Sequence, residues 1–189
     1  MLKMEGRGNN VGMLKVTECE LGGLKIIEPK VFTDDRGWFM ESYRKEDYEE
    51  TGICCEFVQD NRAYSKQGVL RGMHFQVKHP QDKLLSVLRG EIYDVAVDIR
   101  KDSKTYGKWF GIRLSDENKK QVFIPKGFAH GYLVLSKEAE ILYKCSEIYH
   151  PEDEGGIAWD DPKLAIQWPI SVQSELIISE KDRNWEGLL

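Results

Sequence analysis

The chain has 189 residues, 41% of them hydrophobic and 31% charged, with a formal net charge of -5; this is the make-up of one globular domain. It has no block of positive charge of the kind nucleic acid requires, and no apolar run near the roughly 18 residues of a membrane span. Cys19, Cys54, Cys55 and Cys145 show no CxxC spacing, so they read as reduced thiols of a cytoplasmic protein rather than a zinc or redox site.

The first segment, "MLKMEGRGNNVG" (1–12), is polar and lacks the apolar core of a signal peptide. A disordered leader is expected over 1–12, followed by a single domain over 13–189. Strand patterns then follow in "GLKIIEPKVF" (23–32) and "WFMESY" (38–43), and "RKEDYEETG" (44–52) reads as a short helix. Further strands are expected in "CEFVQD" (55–60), "VLRGMHFQ" (69–76), "KLLSVLRG" (83–90) and "EIYDVAVDI" (91–99). In the last of these Tyr93, Val95, Val97 and Ile99 share one face and Asp94, Ala96 and Asp98 the other. "KWFGIRL" (108–114), "QVFIP" (121–125), "GYLVLS" (131–136) and "EILYKCSEIY" (140–149) continue the series, and "DENKK" (116–120) supports one helical turn at most. Ile141, Tyr143, Cys145, Glu147 and Tyr149 fall on one face. The final 30 residues look irregular but ordered, since Trp159, Trp168 and Ile177 require burial. Short strands at roughly 8–12-residue spacing predict an all-β sandwich or barrel with few short helices. No Rossmann glycine fingerprint or P-loop occurs.

The four histidines are His74, His79, His130 and His150. His79 and His150 lie in polar loops and read as solvated. "IPKGFAHGY" (124–132) places His130 after a Pro-x-Gly turn, which resembles the second motif of the cupins, small jelly-roll barrels. Metal-binding cupins supply His-x-His in their first motif, but here that stretch is His74-Phe75-Gln76. A neutral Gln is a poor transition-metal ligand, so the fold signal stands and no metal is expected. Asp94 and Asp98 read as support for basic neighbours or the barrel interior rather than as an acid pair.

The segments "FTDDRGWFMESY", "FVQDN", "VLRGMHFQ", "YDVAVDIR", "IPKGFAHG", "ILYKC" and "SEKD" together resemble the dTDP-4-dehydrorhamnose 3,5-epimerase family, in order from about residue 24 to 183. The resemblance implies a cupin-type jelly roll acting on a dTDP-4-keto-6-deoxyhexose, without a cofactor, in deoxysugar synthesis. The protons at C3 and C5 lie α to the C4 ketone. A base removes one, an enolate forms, and an acid returns a proton from the opposite face. His74 matches the family's base, Asp182 its carboxylate partner, Tyr143 the opposite-face acid and Lys83 the cation beside O4. Phe32, Arg36, Phe39, Glu41, Gln59, Asn61, Arg71, His130 and Tyr149 match substrate-contact positions, with guanidinium suited to pyrophosphate. The family implies a homodimer in which Phe32, Arg36 or Phe39 completes the partner's pocket.

Taken singly, His74 could be a structural histidine, Tyr143 an ordinary strand tyrosine, Asp182 a solvated terminal carboxylate and Arg71 half of an ion pair. The alternatives at the level of function are a single-carbon epimerase or 3,4-ketoisomerase, a metal-dependent cupin oxygenase or isomerase, and a non-catalytic nucleotide-sugar binder. One geometric demand is specific. Val69, Leu70 and Met73 are expected to pack the barrel, while Arg71 and His74 must reach one cavity. Three residues apart, the latter two cannot share a face of a regular strand, so a bulge at Gly72 is required.

Overall fold

The computed structural model describes residues 9–170 and 175–188. Two sheets, antiparallel except for one short parallel strand at Ile177–Ile178, stack face to face, the jelly-roll arrangement of the cupins. The chain begins with β1 (Asn9–Val11), β2 (Leu14–Glu18) and β3 (Lys25–Pro29), then an exposed hairpin of β4 (Phe32–Asp34) and β5 (Gly37–Phe39), then helix α1 (Lys45–Glu50). The body follows as β6 (Gln59–Lys66), β7 (Val69–Gln76), β8 (Lys83–Arg89), β9 (Glu91–Asp98), β10 (Trp109–Ser115), β11 (Gln121–Ile124), β12 (Phe128–Val134) and β13 (Glu138–Cys145). A closing segment contributes β14 (Glu154–Gly156), β15 (Ile177–Ile178) and α2 (Glu180–Arg183).

The first sheet runs β1-β2-β3-β11-β8-β13-β6, and the second runs β10-β9-β12-β7-β14 with β15 also on β7. Strand β9 shows why both sheets hold. Its inward residues Ile92 and Ala96 join Leu85, Phe110, Val122 and Tyr132 in the core between the sheets. Its outward residues Tyr93, Val95 and Val97 are buried too, because Ile157, Leu164 and Ile178 of the closing segment lie over them. The other sheet is covered in the same way, with Tyr48 and Ile53 packed on Leu14, Val16, Ile27 and Phe123. Each such apolar side chain contributes on the order of 1.5–3 kcal/mol on full burial.

Several expectations change. Asn9–Val11 pairs with β2 through a turn at Gly12, whose φ is +54°, so the segment 1–12 is not a leader throughout; residues 1–8 lie outside the described residues. The strand expected over 38–43 stops at Phe39, because β4 offers only three residues to pair with. The strand expected from Cys55 begins at Gln59, where its partner β13 ends at Cys145. Trp159 and Trp168 are half-buried, but Ile177 is 46% exposed; its neighbour Ile178 is the residue that enters the core. Leu70 and Met73 point away from the barrel interior, under the closing segment.

Among the described residues no helix is long and apolar enough to cross a membrane.

Candidate active site

The geometry of β7 organises the site. Opposite β12, His74 pairs with His130 and Arg71 with Tyr132, so three steps on β7 match two on β12. The extra residue lies in the Gly72-Met73 stretch. It turns Leu70 and Met73 outward and leaves Arg71 and His74 both lining the cavity between the sheets. Gly72 has φ +127°, and a Cβ there would fall 2.5 Å from Gly131 Cα and 2.8 Å from His130 O. Neither the backbone angle nor the space admits a side chain. The expected bulge is therefore present, and it depends on two glycines meeting across the ladder.

The cavity has a volume of about 270 Å³. His74, Arg71 and His130 reach it from one sheet, and Asn61, Lys83 and Tyr143 from the other. Tyr149 and Glu154 stand at its edge.

His74 Nε2 lies 2.7 Å from Asp182 Oδ1, and its other ring nitrogen has no hydrogen-bond partner among the described residues. Asp182 is buried at the start of α2, where Ser179 Oγ caps the helix by accepting from Asp182 N. It also accepts from Gly72 N at 3.3 Å. Burial works to raise the Asp182 carboxyl, but the His74 hydrogen bond and charge and the Gly72 N–H outweigh it and hold it below its usual value. A carboxylate whose folded value is depressed stabilises the fold above its unfolded value of about 3.9, and that stability is lost as pH falls through the folded value. Melting temperature measured from pH 5 downward should therefore fall more steeply in the native protein than in Asp182→Asn. Parallel curves would show that the pair has no such linkage.

His130 Nε2 lies 2.7 Å from Asp94 Oδ2, both side chains buried. Asp94 thus supports a basic neighbour, and so does Asp98, which holds Arg100, Ser103 and Thr105. Arg71 has no carboxylate partner among the described residues; its Nε donates to Ser65 Oγ at 3.2 Å. The Lys83 ammonium makes no hydrogen bond or ion pair among the described residues, while its backbone pairs with Ile124 and Cys145. Burial pulls its ammonium below the ordinary lysine value, against the opposing pull of Cys145, Asp94 and Glu154. Burial, with help from Cys145 and Tyr132, pushes the Tyr143 phenol up to about 12, and Arg71 opposes the rise. Tyr143 therefore holds its proton at neutral pH, as an acid must.

Glu154 went unrecognised in the sequence, where "PEDEGG" reads as a turn. It accepts from Tyr149 Oη at 2.7 Å and from Lys181 Nζ at 2.8 Å, and its other oxygen is 3.9 Å from His74 Nε2. Burial raises its carboxyl, yet those partners outweigh it and leave it low. The hydrogen bond to Glu154 pushes the Tyr149 phenol up to about 12. Gln76 also has a use that its sequence position hides. Its amide donates to His79 O (2.7 Å) and Ile148 O (3.2 Å) and accepts from His150 N (2.7 Å), tying together the two loops at the cavity mouth. His79 and His150 are not simply solvated: their rings stack at 4.3 Å. Among the described residues no group of three or more His, Cys, Asp or Glu could hold a metal ion.

The remaining expected residues are spread more widely. Asn61 lines the cavity and donates to Cys145 Sγ, while Gln59 donates to Asn61 and accepts from Tyr149 N. Phe32, Arg36 and Phe39 are exposed on the β4–β5 hairpin around a separate depression, with Glu41 exposed just beyond it.

A jelly roll that sets a histidine–carboxylate pair against a protonated phenol across one cavity has the equipment of a cupin-type isomerase, able to take a proton from one face of a carbon and return it to the other. A profile of the dTDP-4-dehydrorhamnose 3,5-epimerase family matches residues 18–189. The chain belongs to that family. A dTDP-4-dehydrorhamnose 3,5-epimerase of Methanothermobacter thermautotrophicus is 58% identical over 171 residues, covering 90% of this chain and 92% of the relative. One of Pseudomonas aeruginosa is 50% identical over 171 residues, covering 90% and 93%. A crystal structure of dTDP-6-deoxy-D-glucose-3,5-epimerase from Legionella pneumophila, in complex with dTDP-4-keto-L-rhamnose, superposes with a TM-score of 0.89 at 51% identity, covering 93% of each chain.

Proposed function

We propose that this chain converts dTDP-4-dehydro-6-deoxy-D-glucose to dTDP-4-dehydro-L-rhamnose by inverting C3 and C5 without a cofactor, in deoxysugar biosynthesis. The observation that carries this reading is the placement of His74 on one sheet, backed by Asp182 of α2, and of Tyr143 on the other sheet, the two side chains lining a single cavity. Inversion needs a base and an acid on opposite sides of the ring.

His74 takes the proton on carbon, and Asp182 fixes its tautomer and stabilises the imidazolium. The electron pair moves to O4, where the Lys83 ammonium favours the enolate. Tyr143 returns a proton from the other face. Arg71, which has no carboxylate partner among the described residues, is the group available to the pyrophosphate. His130, Asn61, Gln59 and Tyr149 complete the contacts around sugar and base. Phe32, Trp38 and Phe39 are 41%, 58% and 66% exposed, which supports a homodimer in which this hairpin, with Arg36 and Glu41, closes the partner's pocket. A monomer in sedimentation at working concentration would rule that arrangement out. The free cysteines suit a cytoplasmic setting.

Incubation with dTDP-4-keto-6-deoxyglucose in D₂O tests the reaction. Deuterium should enter at both C3 and C5, with undiminished rate after treatment with a chelator. Entry at one carbon restricts the activity to single epimerisation, entry at neither refutes it, and loss of rate to chelator would assign the site to metal chemistry.

A further inference from the structure

We propose that Trp185 is a positioning residue for Asp182: its ring, pressed onto the backbone of Gly156, clamps the segment that carries Asp182 and so keeps the carboxylate on His74. This rests on His74 and Asp182 acting as base and partner.

Two strands of the closing segment pair with the edge of β7 that β12 leaves open. β15 lies alongside Val69 and Leu70, and β14 lies alongside His74, Phe75 and Gln76. Between these pairings Gly72 N donates to Asp182 Oδ2 at 3.3 Å, while Asp182 Oδ1 meets His74 Nε2 at 2.7 Å. The carboxylate thus bridges a gap in the ladder, and its location depends on what holds the chain on each side of α2. That helix has four residues, too few to hold its own shape.

On its N-terminal side the hold is the pairing of Ile177 and Ile178 with β7. On its C-terminal side the hold is Trp185, three residues after Asp182. A Cβ at Gly156 would fall 2.2 Å from Trp185 Cδ2 and Cε2 and 2.5 Å from Nε1, so the indole lies directly against this glycine. Gly156 is the residue that pairs with His74 in the ladder. Its φ lies outside the left-handed region, so the ring requires a glycine here and the backbone does not. Trp185 Nε1 is buried without a hydrogen-bond partner among the described residues. The clamp therefore works by contact, which another flat ring can supply. The chain beyond it is tied separately, since Ala158 N donates to Glu186 O at 2.8 Å and Leu188 N donates to Asp161. Loss of the ring thus frees the stretch around Asp182 while the last residues stay attached.

The test measures turnover per folded molecule and melting for the native protein, Trp185→Ala, Trp185→Phe, Gly156→Ala and Asp182→Asn. Trp185→Ala and Gly156→Ala are each repeated in the Asp182→Asn background. Trp185→Ala is expected to lower kcat on the order of 10²-fold, the cost of misplacing a catalytic group by about 1 Å. KM should change little, because the cavity residues stay in place. Trp185→Phe should recover most of the native kcat. Gly156→Ala displaces the ring from below and should reproduce the loss with Trp185 intact. In the Asp182→Asn background neither change should cost anything further, since groups that act as one unit are not additive. Trp185→Ala should also flatten the fall in melting temperature below pH 5, as Asp182→Asn does, which a merely structural role would not. Native turnover in Trp185→Ala and Gly156→Ala, with Asp182→Asn slow, overturns the inference and leaves the base and its partner assigned. A loss that multiplies with that of Asp182→Asn makes the ring purely structural and overturns it as well. Native turnover in Asp182→Asn overturns both readings. If Trp185→Ala does not fold, Gly156→Ala and its double variant decide by the same outcomes.

Discussion

His74→Ala is expected to slow deuterium entry at C3 and C5 by roughly 10²–10⁴-fold, the usual contribution of a general base, while dTDP binding stays within a few-fold of the native protein. The split follows from the geometry. His74 pairs with Asp182 through one ring nitrogen, whereas the guanidinium of Arg71, the group available to a pyrophosphate in the proposed mechanism, approaches from the other side of the bulge and donates to Ser65. Removing the imidazole leaves Asp182 with the Gly72 N–H as its remaining hydrogen bond within the site. The variant should therefore also lose some stability, about 1–3 kcal/mol for a buried acceptor that loses a partner. Exchange measured by NMR, binding by calorimetry and melting by circular dichroism separate these effects. Exchange that survives at the native rate would remove His74 from the role of base at both carbons.

Gly72→Ala is expected to have the largest effect on the fold. The added methyl would lie 2.5 Å from Gly131 Cα and 2.8 Å from His130 O, at a φ of +127°. Both obstacles are backbone, so no rotamer change relieves them. A loss above about 4 kcal/mol, or failure to fold, is the expected outcome, in the range reserved for strain and overpacking. Gly22→Ala is the control, since nothing lies within 4 Å of a Cβ there, and it should stay within about 0.5 kcal/mol of the native protein. Denaturant titration of both variants decides the matter. A stable, active Gly72→Ala would mean that the ladder between β7 and β12 can part without cost.

These two positions also show how much of the molecule was legible in the sequence. The bulge was readable because Arg71 and His74 are polar residues three apart in an apolar strand, and the period of two leaves only one way to bring them together. The alternation of β9 was readable for the same local reason. The direction of Leu70 and Met73 was not, because both sides of that sheet are apolar and nothing within the strand says which core a side chain joins. Strand ends at Phe39 and Gln59 were misplaced because they are set by where the partner strand stops. Glu154 was invisible for a related reason. Its carboxylate meets His74 only because β14 pairs with β7, and no local pattern in an acidic turn reports that pairing.

The carboxylate that orients His74 lies 108 residues downstream of it, in the closing segment laid over the outer face of the sheet. The barrel strands are complete at Cys145, so during synthesis the body of the molecule can assemble before its base has a partner. On the proposed mechanism the base gains its partner when the tail seats against Met73, Val95 and Val97. In the finished protein the same arrangement works in reverse. On that mechanism a local opening around Asp182, less demanding than unfolding the barrel, would silence the enzyme while Arg71, Lys83 and Tyr143 keep their places in the cavity wall. Turnover is thus a gauge of tail docking.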